Sequence, residues 1–375
     1  MKNVLYITED IYSQVHWNLC KSLVKFQPDM KVSYLAMERY RAERRLRTNR
    51  IGVEGLSEII VPCRYNKILY KYVFPYKVWK KKRLITKKVN VSDYNLVYAS
   101  TLFSDGAIAY EIHKKYNIPY IVCVRGTDIN LYINKMPFLY KYGREIIENA
   151  KKIICISKSQ ETELIHSSFF KKLRRETIDK IVVCPNGIDD FWHDNLYQKR
   201  RIACKKFVYI GIFDDDKNVV RLIEAFNLLK QEFKEIKLHL IGEGGSQESL
   251  IRKMCDESVI MHGPIYDKEK LKMFMRSCDA FVMVSWRETF GLVYVEALSQ
   301  GLPIIYSRNT GFDGMISDIK IGESCDPYDI VSIKDAMKNM IVNYDKYQLI
   351  GDRINEFKWE TISNKIFDMI KRDNA

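Results

Sequence analysis

An α/β fold is predicted, with two doubly wound domains whose parallel sheets face a central cleft. Three observations predict it. Short, near-continuous apolar runs alternate with stretches of helical period along the chain. The alternation comes as two successive series, parted by a polar, aperiodic stretch, DDFWHDNLYQKRR, at 189–201. The 375 residues, 47% hydrophobic and 29% charged, are enough for two cores of a soluble globular chain. Strands that are apolar throughout, rather than every second residue, are buried on both faces, as in a parallel sheet covered by helices.

In the first series, NVLYIT (3–8) reads as a strand, followed by a helix to about residue 26 and the strand KVSYLAM (31–37). YNLVYAS (94–100) is a strand, and DGAIAYEIHKKYN (105–117) a helix ended by Ile118-Pro119. The strand PYIVCVRG (119–126), a helix near 138–149, the strand KKIICIS (151–157), a helix from about 158 and the strand KIVVCPNG (180–187) complete it. The second series holds strand KFVYIGIF (206–213), helix VVRLIEAFNLLKQEF (219–233), and strands IKLHLIGEG (236–244), SVIMHG (258–263), AFVMVS (280–285) and PIIYS (303–307), with helices between. The expected domains are 1–190, joined by a C-terminal crossing helix at about 355–375, and 200–350. The stretch 189–201 has the polarity of a linker.

Composition excludes several classes. No apolar run reaches the roughly 18 residues of a membrane span. The opening MKNVLYITED is too short in its apolar run, and too soon acidic, for a signal peptide, and reads as a first buried strand. Nine scattered cysteines form no CxxC, the pattern of reduced, buried thiols in a cytoplasmic protein rather than of a zinc site or a disulfide frame. The net charge of +14 is lopsided: residues 1–190 carry +15 and the remainder −1. Residues 64–90 hold ten basic residues, six aromatics and no acid, and RYRAERRLRTNR (39–50) is a second basic cluster. Such a surface suits an anionic membrane, where aromatic rings sit at headgroup depth. Nucleic acid, or no partner at all, are the alternatives.

In open parallel sheets ligands bind beyond the carboxyl ends of the strands. The stretch SWRETFGLVYVEALSQGLPIIYS (285–307) lies there. WRETF is a loop after a strand and holds Glu288. Gly291 opens a helix, Gly301 suits its end, and Pro303 stops it. The first helical turn offers free N–H groups and a positive dipole end, a place for a diphosphate. Glu296, eight residues after Glu288, can accept hydrogen bonds from a ribose diol. The alternative is a solvated loop acid and a helix-surface acid.

ETFGLVYVEALSQGLPII resembles the E-x7-E motif of the retaining glycosyltransferases of family 4, whose GT-B fold has two Rossmann-like domains. ISKSQ (156–160), CPNGID (184–189), Lys217-Asn218, LIGEGGSQESL (240–250), HGPI (262–265) and the terminal FKWETISNKIFDMIK (357–371) agree in order. The resemblance implies that Glu296 binds the ribose of a nucleotide-sugar donor and Glu288 the transferred sugar. It implies that Lys217 holds the diphosphate, with help from the backbone of Gly291 and Leu292. Phe290, Gly263 and Gly211 would complete the donor site, the loop after His262-Gly263 reading the base. No metal or other cofactor is implied. Fixed positive charge at the leaving diphosphate lowers the barrier to transfer.

The chain departs from the family in places. Where the family has an arginine after the glycine of the second domain's first strand, Gly211 is followed by Ile212. The first loop, TEDIYSQVHWN (8–18), has no glycine. Arg125, in Arg125-Gly126-Thr127-Asp128, could supply the missing charge or be a structural ion-pair partner. Asp128 is expected to cap the following segment. His16 and Asp128 are the acceptor-side candidates. The run DDD (214–216) sits in a loop before a helix and suits that helix end better than a metal. The expected function is retaining transfer from a UDP- or GDP-sugar to a glycan acceptor, a lipid-linked one, in cell-surface polysaccharide synthesis, with the enzyme peripheral on the inner face of the plasma membrane. A nucleotide-sugar epimerase, a nucleic-acid-binding protein and a non-catalytic nucleotide binder are the rivals.

Overall fold

The computed structural model describes residues 2–39, 52–63, 73–198 and 202–371. Most of the basic cluster at 39–50, and residues 64–72 of the basic aromatic run, lie outside them. The chain divides into two compact units. One comprises Met1–Ile156, Gln160–Gly187 and Trp359–Ala375, the other Ser157–Ser159 and Ile188–Lys358.

In the first unit the strands are β1 (Lys2–Thr8), β2 (Met30–Arg39), β3 (Leu56–Cys63), β4 (Leu96–Ala99), β5 (Tyr120–Cys123), β6 (Lys152–Cys155) and β7 (Ile181–Val183). They form one parallel sheet in the order β3-β2-β1-β4-β5-β6-β7. The order reverses between β1 and β4. Helices α1 (Gln14–Phe26), α2 (Phe74–Lys88), α3 (Gly106–Tyr116), α4 (Tyr140–Asn149) and α5 (Lys158–His166) belong to the crossovers. Parallel register sets like positions side by side, so Tyr34, Tyr6 and Tyr98 stack across β2, β1 and β4 with centroids 5.7 and 4.9 Å apart.

The second unit holds α6 (Asp190–Asp194), β8 (Lys206–Ile210), α7 (Val219–Glu232), β9 (Lys237–Ile241), α8 (Glu248–Met254), β10 (Val259–Gly263), α9 (Lys268–Ser277), β11 (Ala280–Met283), α10 (Leu292–Ser299), β12 (Ile304–Ser307), β13 (Gly322–Cys325) and α11 (Ile330–Val342). Its sheet is parallel in the order β10-β9-β8-β11-β12-β13, reversing between β8 and β11. The final helix, α12 (Trp359–Lys371), returns to the first unit. There Trp359, Ile362, Ile366 and Ile370 join the core of Leu23, Val24 and Met30. Each such side chain contributes roughly 1.5–3 kcal/mol on burial. Among the described residues no helix is long and apolar enough to cross a membrane.

Residues 189–198, the described part of the polar stretch, fall in the second unit and are partly helical. Asp189 caps α6 by accepting from the Phe191 N–H, and Trp192 is buried. One buried ring is enough to anchor a short helix in a mostly polar stretch.

Candidate active site

Two loops leave the reversal point of the second sheet, where ligands gather in open parallel sheets. One follows β8 and carries Lys217; the other follows β11 and carries Glu288. Residues 71 positions apart in sequence thus meet, Lys217 Nζ lying 3.0 Å from Glu288 Oε2.

Both loops are pinned by their own polar groups. Asn218 is buried in the left-handed region (φ 59°), which asparagine tolerates better than most residues. Its Nδ2 donates to the carbonyls of Val284 (2.9 Å) and Pro327 (2.8 Å), tying the Lys217 loop to the end of β11. The Trp286 N–H donates to the Asp216 carbonyl at 2.9 Å, a second tie. The Glu288 carbonyl accepts from Thr310 Oγ1 (2.8 Å) and the Gly311 N–H (2.9 Å), and its own N–H donates to Thr310 Oγ1 (3.1 Å). Gly311 has φ 57°, and a Cβ there would come within 2.9 Å of Glu288 Cγ.

Gly291 (φ 80°) turns the chain into α10, whose first N–H groups have no intrahelical acceptor. Leu292 is the first residue of that turn. The Phe290 ring is buried against Phe312 and Phe357, so only its backbone is left to meet a ligand. Gly263 ends β10 with φ 73° and open space where a Cβ would stand. Gly211 follows β8 directly; a Cβ on Gly242 would fall 1.8 Å from its carbonyl oxygen, so glycine at 242 is obligatory for this approach. Ile212 is half exposed, and its carbonyl accepts from the Tyr209 hydroxyl at 2.7 Å.

Glu296 lies on α10. Burial pushes its carboxyl up to about 7, against the opposing pull of a hydrogen bond from the Trp192 side chain and the charge of Lys268. A carboxylate so placed is short of hydrogen-bond donors, which a diol would supply. Two acids of the DDD run are spent on the neighbouring loop. Asp214 accepts from the Ser246 N–H (2.8 Å) and Asp215 from Gln247 Nε2 (3.1 Å).

In the first unit, a pocket of about 680 Å³ opens at the carboxyl ends of β1, β4 and β5. Glu9, His16, Ser100, Thr101, Arg125 and Thr127 are among its walls. Arg125 Nε donates to the Ser100 carbonyl at 3.1 Å. His16 Nδ1 lies 2.6 Å from the Tyr6 hydroxyl; burial, and then the Arg125 charge, hold its imidazole well below the usual value. Burial opposes ionisation of Glu9, but Lys81 and Lys77 outweigh it and bring its carboxyl down to about 2. The glycine-free first loop is shaped by side chains instead. Thr8 Oγ1 accepts from the Asp10 N–H (3.0 Å), Asp10 Oδ1 from the Tyr12 N–H (3.1 Å), and Ser13 caps α1.

Asp128 does not cap the segment that follows it, and it is not among the walls of this pocket. It is buried, and its carboxylate accepts the backbone N–H groups of Leu102 (3.0 Å), Phe103 (2.9 Å) and Arg125 (2.9 Å). It ties the loop after β4 to the end of β5, which sets where Arg125 stands. Trp192 and Thr310 were not singled out from the sequence, and Asn218 only beside Lys217 in the family motif. A lone tryptophan in a polar stretch was the signal for the first; the others act through partners far away in sequence.

The family model "Glycosyl transferases group 1" matches residues 198–356, and "Glycosyltransferase Family 4" matches residues 15–190. The chain is 25% identical over 282 residues to the alpha-monoglucosyldiacylglycerol synthase of Acholeplasma laidlawii, covering 67% of this chain and 69% of that protein. Its structure is similar to a sucrose-phosphate synthase of Thermosynechococcus elongatus, with TM-score 0.74 and 17% identity over 99% of each chain. It is also similar to Anabaena HepE in complex with UDP and glucose, with TM-score 0.67 and 15% identity over 99% of this chain and 100% of that one. Two family models that together span most of the chain, on two parallel-sheet Rossmann-like units of the GT-B kind, lead to one conclusion: the chain belongs to the family 4 glycosyltransferases.

Proposed function

We propose that this glycosyltransferase moves one sugar, with retention of anomeric configuration, from a UDP-sugar (GDP-sugar being the alternative) to a hydroxyl of a lipid-linked glycan. The observation that carries the reading is the convergence of Lys217 and Glu288 at the reversal point of the second sheet, 3.0 Å apart. Lys217 takes the diphosphate, together with the N–H groups at Gly291 and Leu292. Glu288 takes the sugar and Glu296 the ribose, while the nucleotide approaches the protein backbone at Gly263 and Gly211. Donor entry then exchanges the Lys217–Glu288 pair for a lysine–phosphate contact and frees Glu288 for sugar hydroxyls.

In the reaction, the bond from the anomeric carbon to the diphosphate oxygen breaks and its electron pair stays on the phosphate. Lys217 and the amides stabilise that charge. The acceptor oxygen bonds to the anomeric carbon on the face the phosphate leaves, and its proton passes to the departing phosphate oxygen. Lys217 and the α10 N-terminus meet the developing charge without a metal or cofactor. Arg125 and His16, in the first unit's pocket, serve the acceptor, Arg125 adding positive charge. UDP is favoured by the Anabaena complex, and a lipid-borne acceptor by the diacylglycerol product in the Acholeplasma relative's name; cell-surface glycan synthesis at the inner face of the plasma membrane is the setting proposed for it. The test is proton NMR of the first sugar product formed from an α-linked donor. An α-configured product is expected; a β-configured one, or an epimerised donor with no acceptor present, would overturn the reading.

A further inference from the structure

The first unit has a second, apolar pocket of about 380 Å³ between α2 and the segment leading into α4. Phe74, Pro75, Val78, Trp79, Leu139 and Tyr142 form most of its wall, and Lys82, paired with Glu111 at 2.9 Å, stands at its edge. The surface around it is apolar where solvent would favour polar groups. Trp79 is 51% exposed, and Phe138, beside Leu139, is 74% exposed.

The charge around this face has one dominant sign. Helix α2, FPYKVWKKKRLITKK, carries seven basic residues and no acid. Lys77 and Lys81 are turned inward to Glu9 and the polar pocket, but Arg83, Lys87 and Lys88 are exposed. The Arg83 guanidinium lies 5.5 Å from the centre of the Trp79 ring. Lys135 and Lys141 are exposed on either side of Phe138 in sequence. Tryptophan and phenylalanine ringed by lysine and arginine match the headgroup boundary of an anionic bilayer, where rings enter the acyl edge and cations meet lipid phosphates.

We propose that the face formed by α2 and residues 137–142 docks on an anionic lipid bilayer, with Trp79 and Phe138 inserted. This deepens the membrane part of the function proposed above and rests on it. The contact is then an aromatic groove that the basic run borders, rather than the basic run as a whole. Because α2 also supplies Lys77 and Lys81 to the Glu9 cluster, docking would bring the polar pocket to within one helix of the lipid surface.

The test is sedimentation of the full chain with vesicles of phosphatidylcholine alone, or with about a quarter phosphatidylglycerol. Wild type is expected to bind the anionic vesicles, and to lose that binding as salt rises. The double variant Trp79→Ser, Phe138→Ser should bind them about tenfold or more weakly, with an unchanged melting temperature and unchanged UDP binding. Equal binding by the variant overturns the proposal, as does equal binding of wild type to neutral vesicles or none to either. A wild-type dimer that the substitutions split, without vesicle binding, also overturns it and assigns the face to a second copy. Since UDP binding is read separately, failure of docking and failure of the donor-site reading are distinguishable.

Discussion

Replacing Glu296 by glutamine should move stability and donor affinity in opposite directions. Burial lifts the folded-state pKa of Glu296 from 4.5 to about 7. A carboxyl raised in this way is worse off charged in the fold than in the unfolded chain. Its penalty is fully present above about pH 7, shrinks as pH falls, and is gone below the unfolded value near 4.5. A shift of that size corresponds to about 3 kcal/mol, and to ~1–2 kcal/mol after allowance for the partial exposure of the side chain. Glutamine keeps the shape, and an oxygen for the Trp192 side chain, but carries no charge. Glu296→Gln should therefore melt several degrees above wild type at pH 8, with the gap closing toward pH 5. UDP should bind it about tenfold or more weakly at pH 8, because charge-assisted hydrogen bonds to the ribose are lost. The assays are thermal melts across pH and titration calorimetry with UDP. A variant that melts below wild type at pH 8, or a gap that does not narrow with acid, would refute the burial argument. Unchanged UDP affinity would refute the ribose assignment.

Asn218→Ala leaves the buried carbonyls of Val284 and Pro327 without their donor and puts alanine in the left-handed region. A loss of about 2–4 kcal/mol in denaturant unfolding is expected, and with it a fall in turnover as Lys217 loses its anchor. Asp128→Ala orphans three backbone N–H groups and should cost about 2–5 kcal/mol in the same assay. UDP affinity should hold, since Asp128 belongs to the first unit. Chelation with EDTA should leave the rate of sugar transfer unchanged; a loss restored by a divalent cation would contradict charge stabilisation by Lys217 and α10.

Much of the fold was legible because burial of parallel strands on both faces leaves a local mark, continuous apolar runs such as NVLYIT and AFVMVS. The strand β13, GESC, has no such mark; it is an edge strand defined by its pairing with β12. Helix α6 was hidden for a similar reason, its stability residing in one buried ring rather than in a periodic face. In the candidate site, Glu288, Gly291 and Glu296 were readable together because one loop and one helix carry them. The link from Lys217 to Glu288, and the Asn218 clamp, depend on strand order, which spacing does not encode. Asp128 was misread because its partners at 102 and 103 come from another crossover, so its neighbours in sequence suggested a cap.

The most direct test of the donor-site claim is release of nucleoside diphosphate from a panel of UDP- and GDP-sugars by wild type and Lys217→Ala. Wild type should cleave one donor class, and the variant should lose about 100-fold or more in rate with its melting temperature preserved. Equal release by a folded Lys217→Ala variant, or no release from any donor by wild type, would contradict the assignment of this site.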